Sequence, residues 1–224
     1  MRVTRRSGGP PPVGKKRGRR DRLWLALGAL AAAAAILVAV VTGAGGGPPS
    51  SPVLPPAHLT RQLEGPAPWP RNVAGLGARL QELGLPALAQ EGTALHIHQH
   101  LDLYVDGRRV IVPANIGIEE SQGFSSPLHT HDESGVIHVE SSDVRTFSLG
   151  QFFAVWGVRL TPHCLGGYCA TGAKQLWVFV DAQRLSGDPR LLPLAEHQEI
   201  LVAYGTQAQL PRPIPARYAF TAGL

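Results

Sequence analysis

Apolar and polar residues alternate strictly from Leu95 to Asp106. Leu95, Ile97, Leu101, Leu103 and Val105 take the odd positions, broken only by Gln99, while His96, His98, His100, Asp102, Tyr104 and Asp106 take the even ones. Period-two alternation predicts a strand with one buried face. Asp106-Gly107 is a favoured type I′ hairpin turn, and Arg108–Pro113 supplies the returning strand. The same pattern recurs at Val136–Glu140, where Ile137 and Val139 face one way and Val136, His138 and Glu140 the other. Gln175–Asp181 and Glu199–Tyr204 are runs of β-branched and aromatic residues that predict two further strands. A second hairpin is expected at Ala182–Leu185, and its sequence from Val178 resembles Leu103–Val110.

Helical spacing appears twice. Val73, Leu76, Leu80 and Leu83 recur at three and four residues after a cap at Asn72, with Arg79, Gln81 and Glu82 on the other side. Gly84 ends this helix, and a shorter turn is expected from Leu85 to Glu91. Ser148 and Gln151 form a capping-box pair ahead of Leu149, Phe152, Phe153 and Trp156, with Gly157 as the stop. Hairpin, strand, helix, hairpin and strand in that order predict an α+β domain: a mostly antiparallel sheet with one main covering helix, β-grasp-like. A small β-sandwich or barrel with the helix at its periphery is the alternative.

The N-terminal third follows a different pattern. Residues 1–22 carry nine Lys or Arg against one acid, a charge of +8, whereas the remaining twelve Lys or Arg and fifteen acids give −3. The overall positive charge therefore belongs to the tail and does not indicate nucleic-acid binding. Leu23–Thr42 is twenty residues without a charge, long enough as a helix to cross about 30 Å of hydrocarbon. Basic residues precede it and none follows closely, which predicts a single transmembrane helix with residues 1–22 in the cytoplasm. The span is longer than a cleavable signal core of roughly 7–15 residues, so a signal anchor is expected, with secretion after cleavage as the alternative. The Pro- and Gly-rich stretch 43–71 reads as an extended linker. The globular domain is then expected over 72–210, outside the cytoplasm, with an extended tail over 211–224.

Six of the nine histidines fall between residues 94 and 140. Alternate residues on a strand point the same way about 7 Å apart, within reach of one ion for two inward-leaning imidazoles. His96, His98 and His100 make one such series, of which one member is spare; His129 and His131 make another pair, and His138 lies on the polar face of a third segment. The pattern predicts a Zn or Cu site built from His96, His98, His129, His131 and His138, with Asp102, Asp132 and Glu140 as partners for the imidazole N–H groups. A solvated polar strand face is the plainer reading. The only methionine is Met1, so a thioether-ligated copper site is excluded, and no phosphate loop, nucleophile elbow or His-Glu-x-x-His helix is present.

Cys164 and Cys169 are the only cysteines. Gly166-Gly167 between them permits a tight turn, and in an oxidising compartment a disulfide is expected. A redox or copper site using His163 is the rival. His197 and His58 read as incidental.

Leu95–Asp102, Leu128–Glu140 and the helix start Phe147–Phe153 together resemble a group of membrane-anchored or secreted bacterial proteins with no established activity. The resemblance covers about residues 70 to 220 and implies the same architecture. Three functions follow from the sequence: metal binding, delivery or sensing; a metal-dependent hydrolase or oxidoreductase; or an interaction domain without metal.

Overall fold

A computed structural model describes residues 62–224; the basic tail, the expected span, most of the linker and His58 lie outside them. The described residues contain α1 (Leu76–Glu82), β1 (Leu95–Val105), β2 (Arg108–Val110), β3 (Ile118–Glu119), β4 (Phe124–Ser125), β5 (Leu128–His129) and β6 (Val136–Ser141). Then come α2 (Leu149–Trp156), β7 (Cys164–Leu165), β8 (Tyr168–Cys169), β9 (Gln175–Val180), β10 (Gln183–Arg184) and β11 (Glu199–Gly205). No helix among these residues is long and apolar enough to cross a membrane.

The main sheet runs β10-β9-β11-β1-β6-β5, and β2 pairs with the far half of β1. All of its pairings are antiparallel except β1 with β11, which run parallel from His100↔Glu199 to Val105↔Tyr204. The sheet is therefore mixed, and with two helices the domain is α+β-like. Both hairpins turn through left-handed backbone: Asp106 and Gly107 have φ of 51° and 79°, Asp181 and Ala182 of 50° and 63°. These are the angles a type I′ turn demands.

Helix α2 covers one face of the sheet. Ser148 caps it reciprocally with Gln151, and Gly157 ends it in the left-handed region. All eight of its residues are buried. Leu149, Phe152, Phe153, Val155 and Trp156 meet Leu101, Leu103, Ile137, Val139, Ile200 and Val202 in one apolar core. Gln99, which interrupts the alternation of β1, also faces this side; it is wholly buried and its side-chain amide has no hydrogen-bond partner.

Three local expectations change. Helix α1 starts at Leu76 after Gly75, not after Asn72, and the stretch after Gly84 forms no second helical turn. Arg79 is buried rather than on a solvated face. Its guanidinium donates to the carbonyls of Val155, Ala74 and Asn72, and Val155 lies in the last turn of α2, where carbonyls lack helical partners. The packed domain also begins before residue 72: Leu63 bridges to Val158, and Trp69 is buried edge-on against Trp156 and Tyr168. An indole is too large an apolar surface to leave in a solvated linker.

The C-terminal stretch 211–224 forms no helix or strand, yet it lies against the sheet. Leu210 and Ile214 pack on Trp177, Leu201 and Ala203, the apolar half of the face opposite α2. Tyr218 stacks on His100 with centroids 3.9 Å apart. That leaves the other half of this face, across β1, β6 and β5, to the histidines.

Phe152 is fully buried at the centre of the core. Phe152→Ala is expected to cost about 3–5 kcal/mol, whereas Val144→Ala, at a side chain 74% exposed, is expected to stay within about 0.5 kcal/mol. Urea denaturation of the two variants checks this.

Candidate metal centre

Strand register assembles the site. His98 of β1 is opposite His138 of β6, and His138 is opposite His129 of β5. Directly opposed residues share a face, so three imidazoles form a row across three adjacent strands. His96 is opposite Glu140 in the same register, and His131 follows His129 by two residues. His96, His98, His129, His131, His138 and Glu140 therefore converge on one patch.

The nitrogens meet closely. His96 Nε2 and His98 Nε2 are 3.1 Å apart, and His129 Nε2 and His131 Nε2 are 3.2 Å apart. Glu140 Oε1 lies 3.3 Å from His96 Nε2, 3.2 Å from His138 Nδ1 and 3.8 Å from His129 Nε2. Two donors on one tetrahedral ion with bonds of about 2.0–2.1 Å are about 3.3 Å apart. All of these spacings but the 3.8 Å between His129 and Glu140 lie close to that value, and the buried His and Glu side chains can hold a metal ion. The donors form two overlapping groups, His96, His98, His138 and Glu140, and His129, His131, His138 and Glu140.

The patch is graded in exposure. His98, His129, His138 and Glu140 are buried, while the side chains of His96 and His131 are 51% and 44% exposed. The face is thus partly covered rather than solvated along its length. His129 Nδ1–H donates to the Ser126 carbonyl at 3.0 Å, which fixes the ring and leaves Nε2 as the free donor to a metal. Gly135 lets the loop before β6 approach β1. Its φ is 93°, and a Cβ there would stand 2.6 Å from the Leu101 carbonyl and 3.2 Å from His100 Nε2.

Burial pushes the His129 imidazole down to about 4 against the opposing charge of Glu140. It also lowers His98, helped by His138 and His96. Burial acts to raise Glu140, but the hydrogen bond from His138 and the fields of His129 and His96 outweigh it and hold the carboxyl down to about 2. Neutral imidazoles beside an ionised carboxylate are the protonation states that metal binding requires.

Other sequence candidates lie elsewhere. His100 shares the even face of β1, but both of its ring nitrogens are engaged, Nδ1 with Glu199 at 2.8 Å and Nε2 with the Ser134 carbonyl at 3.0 Å. Asp102 pairs with Arg109, and the Asp132 carboxylate accepts from the Ser134 N–H in its own loop. Neither is hydrogen-bonded to the site's imidazoles, although the fields of His138 and His131 reach Asp132, whereas Glu140 stands among the donors themselves. Cys164 and Cys169 are joined in a disulfide across β7 and β8, so no thiolate is left for a redox or copper site with His163. Gly166 turns this hairpin with φ 53°, and a Cβ there would enter the Trp69 ring.

Two supporting residues escape the sequence patterns. Glu91 Oε1 lies 3.6 Å from His131 Nε2 and 3.8 Å from His129 Nε2; it sits in irregular chain, where no periodicity marks it. Glu196 accepts the backbone N–H of His98 at 3.0 Å, a contact made across 98 residues of sequence. No family model matches the chain, and no curated protein or solved structure is significantly similar to it.

The protonation states set a pH dependence for the metal-free protein. His129 takes its proton near pH 4 when folded against an ordinary value of 6.5, so below pH 6.5 the unfolded chain gains protons that the fold resists, down to about pH 4. Glu140 changes from 4.5 to about 2, so its stabilisation is present above pH 4.5 and is lost as pH falls towards 2. Both terms have the same sign. In chelator-treated protein the urea midpoint is expected to fall steadily from pH 7 to pH 3, and a midpoint that holds or rises on acidification contradicts these assignments.

Proposed function

We propose that the chain is a single-pass, membrane-anchored protein whose extracytoplasmic domain binds Zn or Cu, for metal binding, delivery or sensing. The observation that carries the reading is the convergence of five imidazoles and the Glu140 carboxylate at ligand-to-ligand spacings. Burying such groups is costly unless they are satisfied together, and an ion would satisfy them at once. Nitrogen donors with a carboxylate and no sulfur suit Zn or Cu(II). The uncharged Leu23–Thr42 run with its basic N-terminal flank, together with the disulfide, supports the membrane anchor and an oxidising location. A β-grasp-like arrangement, with the parallel β1–β11 pair inside the sheet and α2 over one face, fits the topology.

A metal-dependent envelope hydrolase or oxidoreductase is the second reading. The half-exposed rings of His96 and His131 favour it, because solvent reaches that side and a water can take a coordination position.

The purified full-length chain is expected to take up Zn or Cu at stoichiometric level. His98→Ala and His131→Ala are each expected to weaken binding at the position served by the lost ring by more than about 100-fold, beyond the effect of losing a supporting hydrogen bond. Metal analysis after gel filtration, with circular dichroism to check folding, decides it; a wild-type chain that retains neither metal refutes the reading.

A further inference from the structure

Resting on that reading of the site, we infer that the centre is dinuclear, with one ion at His96 and His98, a second at His129 and His131, and the Glu140 carboxylate bridging them. Three observations lead there. The first is supply. Five imidazoles and a carboxylate exceed the four ligands of a tetrahedral Zn site, before Glu91 is counted beside His131.

The second is strand spacing. His98 and His129 stand on β1 and β5 with β6 between them. Neighbouring strands are about 4.7–4.9 Å apart, so these two backbones are separated by roughly 9–10 Å. Each pair of alternate histidines closes on its own point, with Nε2 atoms 3.1 Å apart in one pair and 3.2 Å in the other. Two donors to one ion can be no further apart than twice the bond, about 4.2 Å. The donors divide into two groups of four, each with its donor atoms within 4.8 Å of one another, and His96 with His98 share neither group with His129 and His131.

The third is the position of the middle strand. His138 and Glu140 belong to both groups. Glu140 Oε1 is 3.3 Å from His96 Nε2 on one side and 3.8 Å from His129 Nε2 on the other. A carboxylate so placed reaches an ion at either pair, and ions in two-metal sites lie about 3.5–4 Å apart. His138, whose ring is 4.6 Å from His98 and 4.5 Å from His131 between centroids, supplies a nitrogen between the halves. The bridging anion also offsets the repulsion of two cations held mainly by neutral ligands, and Glu91 adds a second negative charge at the β5 side.

The test is a metal count on the full-length chain, using Zn(II) for stoichiometry and Cu(II) for electron paramagnetic resonance. Two ions per chain are expected, and the two-copper form should show a spin-coupled signal. His96→Ala and His131→Ala, at half-exposed rings that tolerate truncation, should each reduce the count from two to one with unchanged circular dichroism. Glu140→Gln should lower the exchange coupling carried by the bridge, leaving only the through-space coupling of the two ions. Saturation at one ion overturns the dinuclear assignment and leaves the proposed metal binding intact; no ion at all removes the proposed function itself. Two ions without exchange coupling overturn the bridge.

Discussion

The alignment of β6 between β1 and β5 is the constraint on which the rest of the site depends. A strand's side chains alternate with a period of two, so a slip of one residue would carry His138 and Glu140 to the α2 face and place Ile137 and Val139 among the histidines. The apolar core prevents that slip. Ile137 and Val139 are fully buried against α2, and exchanging them for an imidazole and a carboxylate would strand polar groups in an apolar interior. The core face of β6 thus sets the register that lines up the chemical face. The covering helix is part of the site in this sense, although it lies on the other side of the sheet.

The opposite face is divided by chemistry. Towards β11 and β9 it is apolar and covered by Leu210 and Ile214; towards β6 and β5 it carries the histidines. His100 lies between the two regions, held by Glu199 and Ser134 and stacked on Tyr218. With both nitrogens engaged, this ring is a structural spacer that ties β11, the loop before β6 and the C-terminal stretch to β1. The histidines of the candidate metal centre have the opposite character. Their donor nitrogens face one another, an arrangement that gains little without an ion between them.

Much of this is legible in the sequence because it depends on short-range periodicity. The alternation from Leu95 to Asp106, the capping box of Ser148 and Gln151, and the Asp106-Gly107 turn are local signals with local causes, and each corresponds to an element in the structure. The features that escape are non-local. Nothing within β1 or β11 announces that they pair in parallel, because that contact closes over about a hundred residues. Arg79 reads as a solvated position on a helix, since its true partners are the carbonyls of Val155 and of the chain before α1. Trp69 lies in a proline-rich stretch whose composition conceals one buried indole. Within the site, the histidine pairs are visible as spacing, but the contact of the His129 pair with the β1 pair through β6 is a matter of register. Glu91 has no signal at all, because it sits in irregular chain.

The most direct measurement is anomalous X-ray diffraction from crystals of the metal-loaded chain, recorded at the absorption edge of the bound ion. The register of β1, β6 and β5 predicts anomalous density among His96, His98, His129, His131, His138 and Glu140, within bonding distance of the ring nitrogens. Density elsewhere on the molecule, or none at this patch in crystals that contain the ion, would contradict it.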